Sequence, residues 1–151
     1  MASNSIRLSS LLFLVIFIHA KADLSQPKET KMTLYFQDYS GGPNATVIEI
    51  TGQPNGLLSF AKFGAIFCTD DPITEEFDES SAQIARAQDY KGSTLEVQGS
   101  SAQFERVREV AVVGGTGKFR LARGYATFET IHYDHALHYA VIQCNVTVLH
   151  Y

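Results

Sequence analysis

From Met32 to the C-terminus the sequence alternates β-branched or aromatic residues with polar ones in short runs, and clusters of Gly, Pro, Asn and Asp interrupt them. Apolar residues at helical spacing are hard to find. Period-two alternation half-buries a strand, and repeated strands at short spacing fold into a sandwich or barrel. The runs fall at 32–39, 46–51, 59–68, 83–89, 93–98, 107–113, 119–132 and 137–150. The last two are long, and Tyr133-Asp134-His135 between them reads as a tight hairpin connection, which suits a barrel that must curl. The expected class is all-β, an antiparallel barrel over 32–151.

The segment before that domain has a different character. Residues 1–7 are a short basic start, 8–18 are apolar apart from Ser9 and Ser10, and Ala20-Lys21-Ala22 is a small-x-small cleavage pattern. Together they read as a secretory signal peptide over 1–22, the run being shorter than the roughly 20 residues that span a bilayer. Residues 23–31 are polar and are expected to form a loose N-terminal tail. The expected location is extracellular. The formal net charge of −4 becomes more negative once Arg7 and Lys21 are removed, which argues against nucleic acid and anionic membranes as partners.

Secretion sets an oxidising context, and Cys68 and Cys144 both lie in the mature part. One bridge or two buried free thiols remain open, because sequence does not show whether the Cβ atoms come within reach. Asn44-Ala45-Thr46 and Asn145-Val146-Thr147 are glycosylation acceptor sequences. Asn44 follows a turn-rich loop, whereas Asn145 sits in a strand-like run and needs its side chain in solvent.

Alternation also assigns faces. In the first strand Leu34, Phe36 and Asp38 point one way. In the seventh, Phe119, Leu121, Arg123, Tyr125 and Thr127 share a side. An acid and a base on apolar faces are buried only if paired or hydrogen-bonded. Two readings stay open: a structural ion pair, or the polar end of an apolar ligand cavity where a carboxyl exchanges a proton.

Three other motifs point nowhere specific. Val112 to Phe119 contains Gly114-Gly115-Thr116-Gly117-Lys118, yet the phosphate loop needs Gly where Val112 stands and Ser or Thr where Phe119 stands. His132, His135 and His138 are scattered over both faces of a hairpin by their spacing, so no metal is expected. Asp70, Asp71, Glu75, Glu76, Asp78 and Glu79 lack calcium-loop spacing and read as a solvated acidic loop.

Several segments match a known family in order: Leu34-Tyr35-Phe36-Gln37-Asp38, Phe63-Gly64, Asp70-Asp71-Pro72-Ile73-Thr74-Glu75, Arg86-Ala87-Gln88, Gly92-Ser93-Thr94-Leu95, Val107-Arg108-Glu109, Val112 to Phe119 and Ala122-Arg123-Gly124-Tyr125-Ala126. Through them the chain resembles the plant dirigent proteins over nearly all of 32–151. The resemblance implies an eight-stranded antiparallel up-and-down β-barrel, secreted to the apoplast, glycosylated, and assembled as a homo-oligomer (dimer or trimer). It implies a protein without cofactor or redox centre that steers the coupling of phenoxy radicals, such as those of coniferyl alcohol, generated by a separate oxidase (laccase or peroxidase). It places Asp38 and Arg123 in the catalytic role; Leu34, Phe36, Leu121 and Tyr125, which alternation puts on the same faces, are the candidate contacts to the phenolic substrate.

The chain also departs from that pattern. Lys118 stands where lignan-forming members carry Asp, Gln37 stands where His is usual, and Cys68 and Cys144 occupy positions that are more often hydrophobic. After Gln88 only Asp89-Tyr90-Lys91 precede the Gly-Ser-Thr-Leu strand, so the barrel is expected to be one strand short. These departures keep two alternatives to radical coupling: a dehydratase or cyclase acting on an isoflavonoid-like phenol, and a non-catalytic wall- or defence-associated binding protein.

Overall fold

The computed structural model describes residues 26–51, 66–100 and 105–151. The expected signal peptide over 1–22, residues 59–65 of the third expected strand, and Phe63-Gly64 lie outside the described residues. Among the described residues the chain forms β1 (Lys28–Tyr39), β2 (Val47–Glu49), β3 (Phe67–Thr69), β4 (Pro72–Thr74), β5 (Gln83–Arg86), β6 (Leu95–Gln98), β7 (Arg108–Gly115), β8 (Arg123–Asp134) and β9 (Tyr139–His150). A 3-10 turn at Gly117–Phe119 joins β7 to β8.

Seven of these strands make one antiparallel sheet in the order β5-β4-β1-β9-β8-β7-β6, curled into a half-barrel, and β2 pairs with β3 beside it. The first and last strands are neighbours along their whole length, from Lys28 opposite His150 to Tyr39 opposite Tyr139. The sheet's edges are therefore β5 and β6, strands consecutive in the chain. The connection between them makes two tight turns, with bridges Arg86–Asp89 and Tyr90–Ser93. Among the described residues the sheet is open between these two strands, at the stretch where the sequence is expected to be a strand short. Both edge strands are only four residues long, which limits the unpaired backbone they present.

Three differences from the sequence reading have physical causes. Lys28 to Lys31 are not tail but the start of β1: their ladder with β9 is made by backbone, which polar side chains do not forbid. Pro72–Thr74, read as part of a loop, is β4 and pairs Ile73 with Phe36; three residues are too few to display alternation. The stretch 119–122 is not strand. Leu121 adopts φ 61°, which breaks the phase, so Phe119 is fully buried while Leu121 and Arg123 are exposed. The hairpin turn itself lies at 135–138, with Asp134 Oδ1 accepting the backbone N–H of Ala136 and Leu137.

Inner-facing Leu34, Val110, Val112, Ala126, Cys144, Val146 and Val148 form the core with Phe119. Gly124 allows β8 and β9 to approach, since a Cβ there would lie 2.0 Å from the Thr147 carbonyl oxygen. Gly117, at φ 54°, lets the Gly-rich turn fold onto Ser93, whose Oγ accepts the Lys118 N–H at 3.1 Å. The turn pins the β5–β6 connection rather than cradling a phosphate.

Candidate active site

The concave face of the sheet lines a half-open cavity of about 930 Å³. Strand alternation grades its chemistry. Met32, Val112, Phe119 and Val146 line one end, Asp38 and Asp71 the other, and Arg108 starts between them, in register with Leu34 through Phe128 and Cys144. Asp38 lies six positions after Met32 along β1, about 20 Å at strand rise. Leu34, Phe36 and Asp38 thus share the cavity face, as their spacing requires.

Asp71 was read as part of a solvated loop, yet it is buried at 3% exposure. Neighbouring Asp70 turns outward to Arg86, 2.9 Å from its guanidinium, while Asp71 turns inward. Thr46 Oγ1 donates to Asp71 Oδ1 at 2.5 Å, and the Ala87 N–H donates to the Asp71 carbonyl at 2.9 Å. Burial pushes the Asp71 carboxyl up to about 7, opposed by the Thr46 hydrogen bond and reinforced by the charge of Asp38. Burial likewise pushes Asp38 up to about 6, and the Arg108 guanidinium pulls it back. Two carboxyls that feel each other at one end of an apolar cavity can exchange protons with a bound molecule near neutral pH.

The cation on this face is Arg108, not Arg123. Arg123 is exposed on the outer side of β8, where its Nη1 donates to the carbonyls of Val113 and Ala122. Leu121 and Tyr125 also face outward, at 65% and 47% exposure, and neither lines the cavity. All three corrections follow from the phase break at Leu121. Cys144 lines the cavity and Cys68 does not; both are free thiols, so no bridge joins them. Burial pushes the Cys144 thiol up to about 12.

A bulge between Thr130 and His132 re-aims the end of β8. His132 packs against Phe77 and Tyr139, whereas His135 reaches the cavity beside Tyr133. Tyr90, beside the missing segment, lines the cavity and packs on Phe119 at 5.9 Å. Both acceptor asparagines are exposed; Asn145 Oδ1 accepts a hydrogen bond from Thr33 Oγ1 at 2.8 Å.

Both raised carboxyls lie above the value of an unfolded Asp, so the folded chain holds protons that the unfolded chain has released. Stability from these groups is greatest below about pH 4 and falls as pH rises through about 6 and 7. The Asp71→Asn variant is expected to be more stable than wild type at pH 8 by on the order of 2 kcal/mol, and to match it near pH 4. Urea denaturation at the two pH values checks this. Equal stability at pH 8 would mean that Asp71 is not held protonated by burial.

A family profile described as dirigent-like protein matches residues 29–90 and 88–149. The chain belongs to the dirigent family. The two matched pieces meet at 88–90, within the β5–β6 connection. Dirigent protein 23 of Arabidopsis thaliana is 32% identical over 152 residues, covering 85% of this chain and 81% of that protein. Pterocarpan synthase 1 of Glycine max is 32% identical over 148 residues, covering 81% and 79%. Among solved structures, the pterocarpan synthase dirigent proteins GePTS1 and PsPTS1 superpose with TM-scores of 0.70 and 0.68, at 30% and 28% identity. The first match covers 83% of this chain and 87% of GePTS1, the second 85% and 99% of PsPTS1.

Proposed function

We propose that this dirigent protein binds small phenols in the cavity and catalyses acid–base steps on their quinone methides, as a dehydratase or cyclase on an isoflavonoid-like substrate. The observation that carries the reading is the Asp38–Asp71 carboxyl pair at one end of an otherwise apolar cavity. The likeness to two pterocarpan synthase structures supports it.

The chemistry balances with these two groups alone. One carboxylic acid protonates a benzylic hydroxyl, the C–O bond breaks and water leaves; the other carboxylate takes the phenol proton, giving a neutral quinone methide. A second phenol oxygen then attacks the methide carbon and forms the ring C–O bond. Its proton passes to a carboxylate while the quinone oxygen regains one from an acid, so both groups return to their starting states. The apolar walls present one face of the methide, which sets the handedness of the product.

Phenoxy-radical coupling is a second reading, favoured by the cavity volume, which lies toward the upper end of small-molecule sites and has room for two phenylpropanoid rings. There a laccase or peroxidase supplies the radicals, and the same acids close the coupled product. Secretion through residues 1–22 to the apoplast and glycosylation at Asn44 and Asn145 belong to either reading. So does a homo-oligomer, supported by the outward-facing Leu121, Tyr125 and Leu149.

Purified protein is incubated with a phenolic benzylic alcohol without oxidant, and separately with coniferyl alcohol plus a one-electron oxidant, and products are resolved by chiral chromatography. Dehydrated, ring-closed product of one hand is expected in the first reaction. No consumption above the buffer rate there rejects the dehydratase reading. Racemic product in the second, with and without protein, rejects the coupling reading.

A further inference from the structure

Arg108 opens β7, and alternation places it on the cavity face with Val110 and Val112 while Glu109 and Ala111 point out. It is 5% exposed. A guanidinium in such a place costs several kcal/mol unless hydrogen bonds and opposite charge compensate it. Its Nη2 donates to Thr130 Oγ1 at 3.1 Å. Thr130 sits one inward-facing position beyond Phe128, the residue opposite Arg108, so this bond draws the guanidinium along the sheet toward the carboxyl end. Thr130 stands opposite Ile142, and Ile142 opposite Phe36, one inward-facing position short of Asp38 on β1.

The two carboxyls are not held alike. Asp38 lies in the field of Arg108, whereas Asp71, 3% exposed, is held toward its protonated form by burial that outweighs the Thr46 hydroxyl on Oδ1. We propose that Arg108, held by Thr130, is a positioning residue that divides the pair, keeping Asp38 as proton acceptor and leaving Asp71 as proton donor. The division of labour rests on the proposed acid–base reading, but the ordering of the two carboxyls is a property of the free protein.

Other ionisable groups share this surroundings. Asp70 and Arg86 flank Asp71, Asp89 and Tyr90 line the cavity from the β5–β6 connection, and Tyr133 and His135 line it from the end of β8. Cys144 faces in from β9 and stays a neutral thiol. A rate profile alone mixes these groups, so the test follows the two carboxyls directly.

Protein labelled with 13C at aspartate is titrated by NMR without substrate, as wild type, Arg108→Gln, Arg108→Lys and Thr130→Val. In Arg108→Gln the Asp38 midpoint is expected to rise by about one unit or more, with a smaller change at Asp71. Arg108→Lys restores most of the wild-type value, and Thr130→Val, which keeps the charge but removes its hold, gives a smaller rise. If Arg108→Gln does not fold, the Lys and Val variants decide: an Asp38 midpoint unmoved in Thr130→Val overturns the positioning role. An Asp71 midpoint that moves more than that of Asp38 overturns the ordering. Absence of turnover in the separate oxidant-free assay with a phenolic benzylic alcohol rejects the proposed function and leaves this result standing.

Discussion

The Asp38→Asn and Asp71→Asn variants each turn over a phenol bearing a benzylic hydroxyl about 10²- to 10⁴-fold more slowly than the wild type, the range associated with removing a positioned acid or base. Asn keeps the size of Asp and can accept the Thr46 hydrogen bond, so the cavity keeps its shape and KM changes little. The loss falls on kcat because the amide neither donates nor accepts a proton at neutral pH. If the carboxyls act as a unit, the double variant is little slower than either single one. Stopped assays with quantified product check both points. A single variant that keeps more than about a third of wild-type kcat removes that carboxyl from the mechanism.

Phe119→Ala is expected to cost about 3–5 kcal/mol of stability, as for other fully buried aromatic truncations. The ring has no exposed surface and meets His150 edge-on at 5.5 Å and Tyr90 at 5.9 Å. Through Tyr90 it ties the β5–β6 connection, where the sheet is open, to the turn at the end of β7. Leu121→Ala, two residues on, removes a side chain that is 65% exposed and is expected to change stability by less than about 0.5 kcal/mol. The pair of variants, unfolded in urea, tests the phase break directly. Comparable losses at both positions would mean that residues 119–123 share one face after all.

That break also explains how far the sequence could be read. The long runs in β1 and β9 alternate cleanly, so the strand class, the cavity face and Asp38 were all legible from spacing. Arg123 was misplaced because a single positive φ at Leu121 resets the alternation, and nothing in Leu-Ala-Arg-Gly announces it. Arg108 was within reach: Arg108, Val110 and Val112 satisfy the same period-two rule that selected Asp38. Asp71 was not. Its burial depends on a hydrogen bond from Thr46, 25 residues earlier, and on the docking of Ala87 over its carbonyl, contacts that no local pattern encodes. Conversely, the break expected after Gln88 from the order of the motifs falls in the connection between the two edge strands of the described sheet.

The most direct test of a paired-carboxyl site is the pH dependence of kcat/KM without oxidant, measured from about pH 4 to pH 9 on wild type and Asp71→Asn. Asp38 near 6 and Asp71 near 7 titrate as a pair, so the wild-type profile is a narrow bell with its maximum between those values. In Asp71→Asn the residual rate loses the alkaline limb. A wild-type rate that stays flat between about pH 5 and pH 8 contradicts the account, because neither carboxyl would then be passing its proton to the substrate.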